Sequence, residues 1–443
     1  MKTILPLLLG FAMLPATNFA QELPSNAPRA TPVEPEGLDL GRSLLVSEAA
    51  QGGASDVAQP AGDPVAFTEA GDARRRGRWR VAPHFRAKGT VDDNIFIQSK
   101  IKVADYIGTL EPGLALGFWD SNEARERFLE RQRSAALIEH SDGSFVVADY
   151  TAILLGFAKT TSQNALDHDG TLDAQWQLRK LTLGASLHAE SKSETNTDVG
   201  NRVRRKTVTA AFTSSYQISD KTRFGFAIHH RTNEPENYLR TVEWRGEGSL
   251  DYAISPSTRF GFGFTAGRVQ VERSADQTFQ RALARMDYSL SEKVEVEFRG
   301  GVEFRQSGGR IGDQTNSVFD LRADWTPAPG TRIGLEATRH VEPSWERPDQ
   351  DYTLTGVALS FRQAIRGGLH FSVEGGYHVA EYSRTLPGEV RTDRYVFIRP
   401  GLLYNFATWG NAGVTYEHRR NESDRPSSSF RDNQISVEVG VTY

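Results

Sequence analysis

The sequence predicts an all-β fold, a transmembrane antiparallel up-and-down β-barrel of about eighteen strands, or about sixteen if two boundaries fall elsewhere. Three observations predict it. Apolar and polar residues alternate with period two from Trp79 to the last residue. The links between the alternating segments are short and long in turn. An export-type segment opens the chain and an aromatic-ended strand closes it.

Met1 and Lys2 precede the apolar run from Ile4 to Leu14, and a small residue, Ala20, stands before Gln21. This pattern reads as a secretory signal peptide over residues 1–20, with cleavage expected after Ala20. The run is shorter than the ~20 residues of a bilayer span. The chain has no cysteine, so a lipoprotein anchor, disulfides and thiolate metal sites are excluded. Residues 21–78 are rich in Pro, Ala, Gly, Glu and Asp. Such a segment buries too little apolar surface to offset its ordering entropy, so a flexible periplasmic lead-in is expected there. The barrel is expected over residues 79–443.

Successive side chains of a strand point to opposite faces, so alternation means one apolar and one wet face. At the C-terminus Ile435, Val437, Val439, Val441 and Tyr443 alternate with Gln434, Ser436, Glu438, Gly440 and Thr442. Phe260, Phe262 and Phe264 alternate with Arg259, Gly261, Gly263 and Thr265, and Phe224, Phe226 and Ile228 with Arg223, Gly225, Ala227 and His229. Trp244, Tyr252, Tyr288, Trp325, Tyr352 and Trp409 stand at segment ends, where the interfacial aromatic girdles of a membrane barrel would lie. A strand ending on Tyr443 resembles the signal read by the barrel-insertion machinery. Outer-membrane lipid and that machinery are therefore the expected partners.

Short links are expected at 179–180, 219–222, 255–258, 291–293, 326–330, 364–368 and 407–410. Longer polar links are expected at 190–206, 231–238, 270–277, 305–315, 340–351, 381–393 and 417–430. Membrane barrels sort their connections in this way, with short periplasmic turns and long external loops. An even strand count then places both termini in the periplasm. Residues 119–143 break the rule, since a charged helical insert stands where a short turn belongs.

The net charge is −4, with no basic footprint for nucleic acid, which is excluded as a partner. A mean hydropathy of −0.48 hides a membrane protein whose lipid face is every second residue.

The segment 79–118 opens with a strand, continues through Asp92, Asp93, Asn94, Ile95 and Phe96, reaches Asp105, and enters a second strand at Pro112, Gly113 and Leu114. This resembles the start of the Putative β-barrel porin-2 family. The resemblance implies an outer-membrane barrel, and a connection with exopolysaccharide production. It carries over no functional residues.

Charged residues fall on the wet face and are expected to line the pore: Glu243, Arg245, Arg259, Arg285, Glu295, Glu297, Arg299, Glu303, Arg322, Arg332, Glu336, Glu374, Glu417 and Glu438. Their mixed signs argue against a strong ion preference. No G-x-S-x-G elbow and no H-E-x-x-H occurs, so no enzyme is expected. Asp92, Asp93 and Asn94 invite a calcium reading, but an Asp/Asn-rich turn is the commoner use of such residues, and neither metal nor cofactor is expected. The leading function is a porin-like channel for small hydrophilic solutes or saccharides, connected with exopolysaccharide export. The alternative is a non-conducting barrel that serves an envelope polysaccharide machine as structural or assembly partner. No oligomer interface is legible.

Overall fold

The computed structural model describes residues 79–119, 143–291, 293–308, 312–383, 391–407 and 409–442. The expected signal peptide, the lead-in, residues 120–142 of the insert and Tyr443 lie outside them.

Among the described residues eighteen strands follow one another. They are β1 (Trp79–Asp92), β2 (Asp105–Trp119), β3 (Phe145–Phe157), β4 (Ala165–Gln177), β5 (Leu181–Asn196) and β6 (Asn201–Gln217). Next come β7 (Thr222–Pro235), β8 (Thr241–Ser255), β9 (Thr258–Val271), β10 (Gln277–Ser291), β11 (Val294–Ser307) and β12 (Gln314–Ala328). The last are β13 (Thr331–Pro343), β14 (Asp351–Arg366), β15 (Leu369–Tyr382), β16 (Thr392–Ala407), β17 (Gly410–Ser423) and β18 (Phe430–Thr442). Every strand pairs antiparallel with its sequence neighbours, and β18 closes on β1 with Asp92 opposite Gln434 and His84 opposite Thr442. Closure removes every free sheet edge, a requirement for strands in lipid. A strand of about fourteen residues is roughly 46 Å long and, at a barrel tilt of roughly 40°, spans about 35 Å, enough for a bilayer core of about 30 Å.

The alternation has the expected result. Phe226, Phe260, Phe262, Phe264, Ile435, Val437 and Val439 are exposed on the outer face, Phe262 by 77%. An apolar exterior of this extent is far beyond what a water-soluble monomer shows. Among the described residues no helix is long and apolar enough to cross a membrane. Trp244, Tyr252, Trp325 and Trp409 stand on this outer face at strand ends. Tyr352 does not. It pairs with Tyr382 inside the barrel and is buried, because its register places it on the inner row of β14.

The two rims differ as the link lengths predict. One carries Trp79, Thr442 and the short turns, including 256–257, 329–330 and 367–368. Gly330, Gly367 and Gly368 have φ between +61° and +83°, a backbone that residues with a Cβ avoid. Register shifts cluster at this turn rim, at Ala253/Ser255, Ser289/Ser291, Trp325/Ala328, Ala364/Arg366 and Asn405/Ala407. Such bulges sharpen local twist where a hairpin reverses. The other rim carries the longer links, such as 93–104 and 344–350. The expected loop 190–206 is a correction: β5 and β6 run on through it and leave only residues 197–200 between them. Glu190, Lys192, Glu194 and Arg205 sit inside, paired, so polarity there marks an inner wall as well as an exposed outer row. β2 ends at Trp119 and β3 begins at Phe145 on the turn rim.

Candidate functional site

The fourteen charged residues singled out above share one face, opposite the exposed apolar rows, as the strand registers require. On β8 to β11, Arg285 reaches Glu247 at 3.0 Å and Asp251 at 3.6 Å, and Arg259 lies 3.7 Å from Asp287. Arg245 lies 3.4 Å from Glu243. Gly261 makes room for this row, since a Cβ there would overlap Asp251. On β11, Glu303 accepts from Arg281 at 2.6 Å and from Arg305 at 2.8 Å. Glu297 stands opposite Arg322, and Arg299 opposite Asp320. Arg322 and Arg332 both reach Asp324 at 2.9 Å, with Glu336 in register opposite Arg322. Arg399 joins Glu374 at 3.3 Å to Glu417 at 2.8 Å. Glu438 faces Lys88 across the closing seam, and Glu295 stands exposed opposite Asp324.

The partners that sequence reading missed have two origins. Glu190, Lys192 and Arg205 fall in a stretch read as a loop, although they continue the same alternation. Arg399 precedes Pro400, which interrupts the strand pattern.

Depth along the axis divides this face. Toward the turn rim Glu295 is exposed, and Glu297, Arg332, Glu336, Arg362 and Glu374 are half-buried. Toward the loop rim Glu303 is 0% exposed and Arg305 2%, and Asp393, Asp432 and Asn421 are buried. There the interior also holds an apolar cluster of Ile97, Tyr352, Leu354, Ala380, Tyr382, Tyr395, Phe397 and Phe430. Seven of these come from the inner rows of β14 to β18. The eighth, Ile97, arrives from the β1–β2 loop with φ +48°, a strained backbone for a β-branched residue.

The loop-rim mouth is tied across its diameter. The β5–β6 hairpin tip reaches the opposite wall, where Asp198 accepts from Ser344 Oγ at 3.0 Å, from the Trp345 backbone N–H at 2.7 Å and from Tyr382 Oη at 3.1 Å. Arg391 lies 3.8 Å from Asp198, 3.7 Å from Glu346 and 2.9 Å from Asp393, and stacks 4.2 Å over the Tyr382 ring. Burial disfavours the Arg391 cation, but Tyr382, Asp393 and Asp198 outweigh it and hold its pKa above the usual arginine value. Gln98 donates to the Gly200 carbonyl, and the Leu239 N–H to the Trp345 carbonyl, which brings the β1–β2 and β7–β8 loops into the same network.

Among the described residues two clusters of acidic and histidine side chains have metal-like spacing. At Asp169, His188 and Glu190 the Lys192 ammonium already stands between the acids, 2.7 Å from Asp169 and 2.8 Å from Glu190. Asp92, Asp93 and Asp432 bring oxygens within 4.8 Å of one another at the β1–β18 seam. Arg419 donates to Asp432 at 2.5 Å, Gln434 to Asp92 at 3.0 Å and Asn433 to Asp93 at 2.6 Å. Burial opposes ionisation of Asp93, yet the Asn433 hydrogen bonds and Lys102 hold its carboxyl below the usual range. The Asn94 N–H donates to Asp92 at 2.7 Å, and its side chain holds both Gln98 and the Arg431 carbonyl, so the Asp/Asn run forms a turn that clasps the seam. His229 and His230 point to opposite faces: His229 is buried inside and His230 packs at a tilt against Trp244 outside.

Comparison with known proteins follows this geometry. Residues 262–443, from within β9 to the end, match the family described as Putative beta-barrel porin 2. It is the family that residues 79–118 resemble, matched here by the other half of the barrel. Solved structures of similar strand arrangement include Pseudomonas aeruginosa OpdO, at 10% identity and TM-score 0.44, covering 82% of this chain and 97% of that one. Acinetobacter baumannii OccAB4 matches at 10% identity and TM-score 0.43, covering 82% and 98%. Pseudomonas aeruginosa OpdK with vanillate matches at 9% identity and TM-score 0.42, covering 82% and 99%. No curated protein matches the chain. The closed barrel, its apolar exterior and the family match identify a porin-like outer-membrane β-barrel.

Proposed function

We propose that the protein is an outer-membrane channel for small hydrophilic solutes or saccharides, entered from the turn rim and gated at the loop rim. The observation that carries this reading is the division of the interior: half-buried charges of both signs toward the turn rim, and a mouth tied by Asp198 toward the loop rim. The fourteen residues named above are its pore wall. Mixed, mutually paired charges of this kind favour neutral hydroxylated solutes over a single ion type. In this reading the long loops face outward and both chain ends face the periplasm. β18 is the segment read by the insertion machinery. We assign the barrel no enzymatic role. The family resemblance adds saccharide traffic connected with exopolysaccharide export.

The tied mouth also favours a second reading, a non-conducting barrel that supports an envelope polysaccharide machine. Single-channel conductance of the refolded full chain in a planar bilayer separates the two. Wild type, Asp198→Ala and a deletion of residues 120–142 are compared, with heat-modifiable gel migration as the check on folding. Larger or more frequent steps in Asp198→Ala support the gated channel. Larger steps only on the deletion make the insert the gate. Silence in three folded proteins overturns conduction and leaves the supporting role.

A further inference from the structure

The outer surface of the loop rim is electrostatically lopsided. Around β7 to β16 each of five cations has an acidic partner: Arg240 with Glu234, Arg268 with Asp276, Arg273 with Glu272, Arg339 with Glu381 and Arg394 with Asp424. Around β18 and β1 to β6 one such pair stands, Lys102 with Asp93 at 3.7 Å, and the other cations differ. Lys100, Lys159, Arg204, Lys206 and Arg431 are exposed and form no salt bridge among the described residues. Lys159 Nζ lies 5.6 Å over the Tyr106 ring and donates to the Ala104 carbonyl, and Arg204 donates to the Leu166 carbonyl. Both cations are thereby held at the upper edge of the apolar wall.

The wall beneath them is exposed and apolar, with Tyr106, Leu110, Leu154, Leu166, Val208 and Phe212 on the outer face. Ile101 is 79% exposed between Lys100 and Lys102, an apolar tip with a cation on either side. Such a tip gains by entering an acyl layer while its lysines stay at headgroup level. Cations outside any salt bridge, standing above an acyl-facing wall, complement a lipid with anionic headgroup and long chains.

We propose that the β18–β6 sector of the loop rim is a docking surface for a phosphorylated, multiply acylated glycolipid of the outer leaflet, with the phosphates on Lys100, Lys159, Arg204, Lys206 and Arg431. The opposite sector, neutralised by its own pairs, lacks this preference. The outer-leaflet source rests on the orientation proposed above.

The test uses the folded full chain in mild detergent, with bound lipid counted by native mass spectrometry. Lipid A is the probe, beside the same lipid A after phosphatase treatment. Wild type is expected to bind the phosphorylated form at least about tenfold tighter. Arg204→Gln with Lys206→Gln and Arg431→Gln should lose most of that difference, while Arg240→Gln with Arg268→Gln should keep it. Equal binding of the two lipids, or equal loss in both sets of variants, would overturn the proposal. A tag in the loop at 424–429, probed on whole cells, tests the orientation separately. A tag reachable only from the periplasm would remove the outer-leaflet source, whatever the binding constants.

Discussion

Glu295 and Glu303 are the same residue type on the same face of the same strand, eight positions apart. Glu295 is exposed near the turn rim, whereas Glu303 is fully buried between Arg281 and Arg305 near the loop rim. The first meets water and bears mainly on the electrostatics of the interior. The second is a packed ion triad, whose removal strands two buried guanidinium groups. In this barrel the role of an inward charge depends on its depth along the axis, because depth decides whether water or other side chains surround it.

Glu303→Ala tests this contrast most strongly. It should cost about 3–5 kcal/mol, the usual result of breaking a buried pair from one side. Glu295→Ala should stay within about 0.5 kcal/mol, both read by urea unfolding in vesicles. Comparable costs at the two sites would dissolve the distinction. Leu354→Ala comes next. Leu354 is fully buried among Tyr352, Tyr382 and Tyr395, and its truncation should cost about 2–4 kcal/mol. A cost below about 1 kcal/mol would mean that the loop-rim interior is looser than its packing indicates.

At the seam, Asp93 sharpens the contrast through pH. Its folded pKa is depressed, so its stabilising contribution is fully present above the ordinary carboxylate value of 3.8 and is lost as pH falls through the lowered value. Asp93→Asn should therefore narrow the stability difference between neutral and acidic solution. An unchanged difference would remove the clasp from the account of closure. The turn-rim variants follow. Arg332→Gln and Glu336→Gln should leave stability nearly unchanged while shifting the reversal potential of any conductance in opposite directions. The smallest effect is expected at Asp276→Asn, an exposed pair with Arg268, whose unfolding midpoint should match wild type within error.

Much of this is legible in the sequence. The fourteen inward charges were placed by parity alone, since Glu295, Glu297, Arg299, Glu303 and Arg305 hold one face through β11 without interruption. The turns at 329–330 and 367–368 were visible from their glycines. Parity could not show that Lys192 and Arg205 belong to a wall. Their stretch is polar on both faces, and a strand that projects beyond the apolar belt has no greasy row to mark it. Nor could it place Tyr352, whose type suits a girdle and an inner cluster equally well.

The chain therefore determines by itself the barrel, its strand number to within two, its inner and outer rows and the sorting of most of its links, because side-chain direction in a strand is a local property with period two. Tertiary structure alone decides which inward charges meet and where the interior is packed. Asp198 and Ser344 are 146 positions apart, and only closure of the eighteen-strand sheet brings the β5–β6 hairpin across the mouth to join them. Contacts across a barrel depend on the register and curvature summed over all of its strands, and no local stretch of sequence carries that sum.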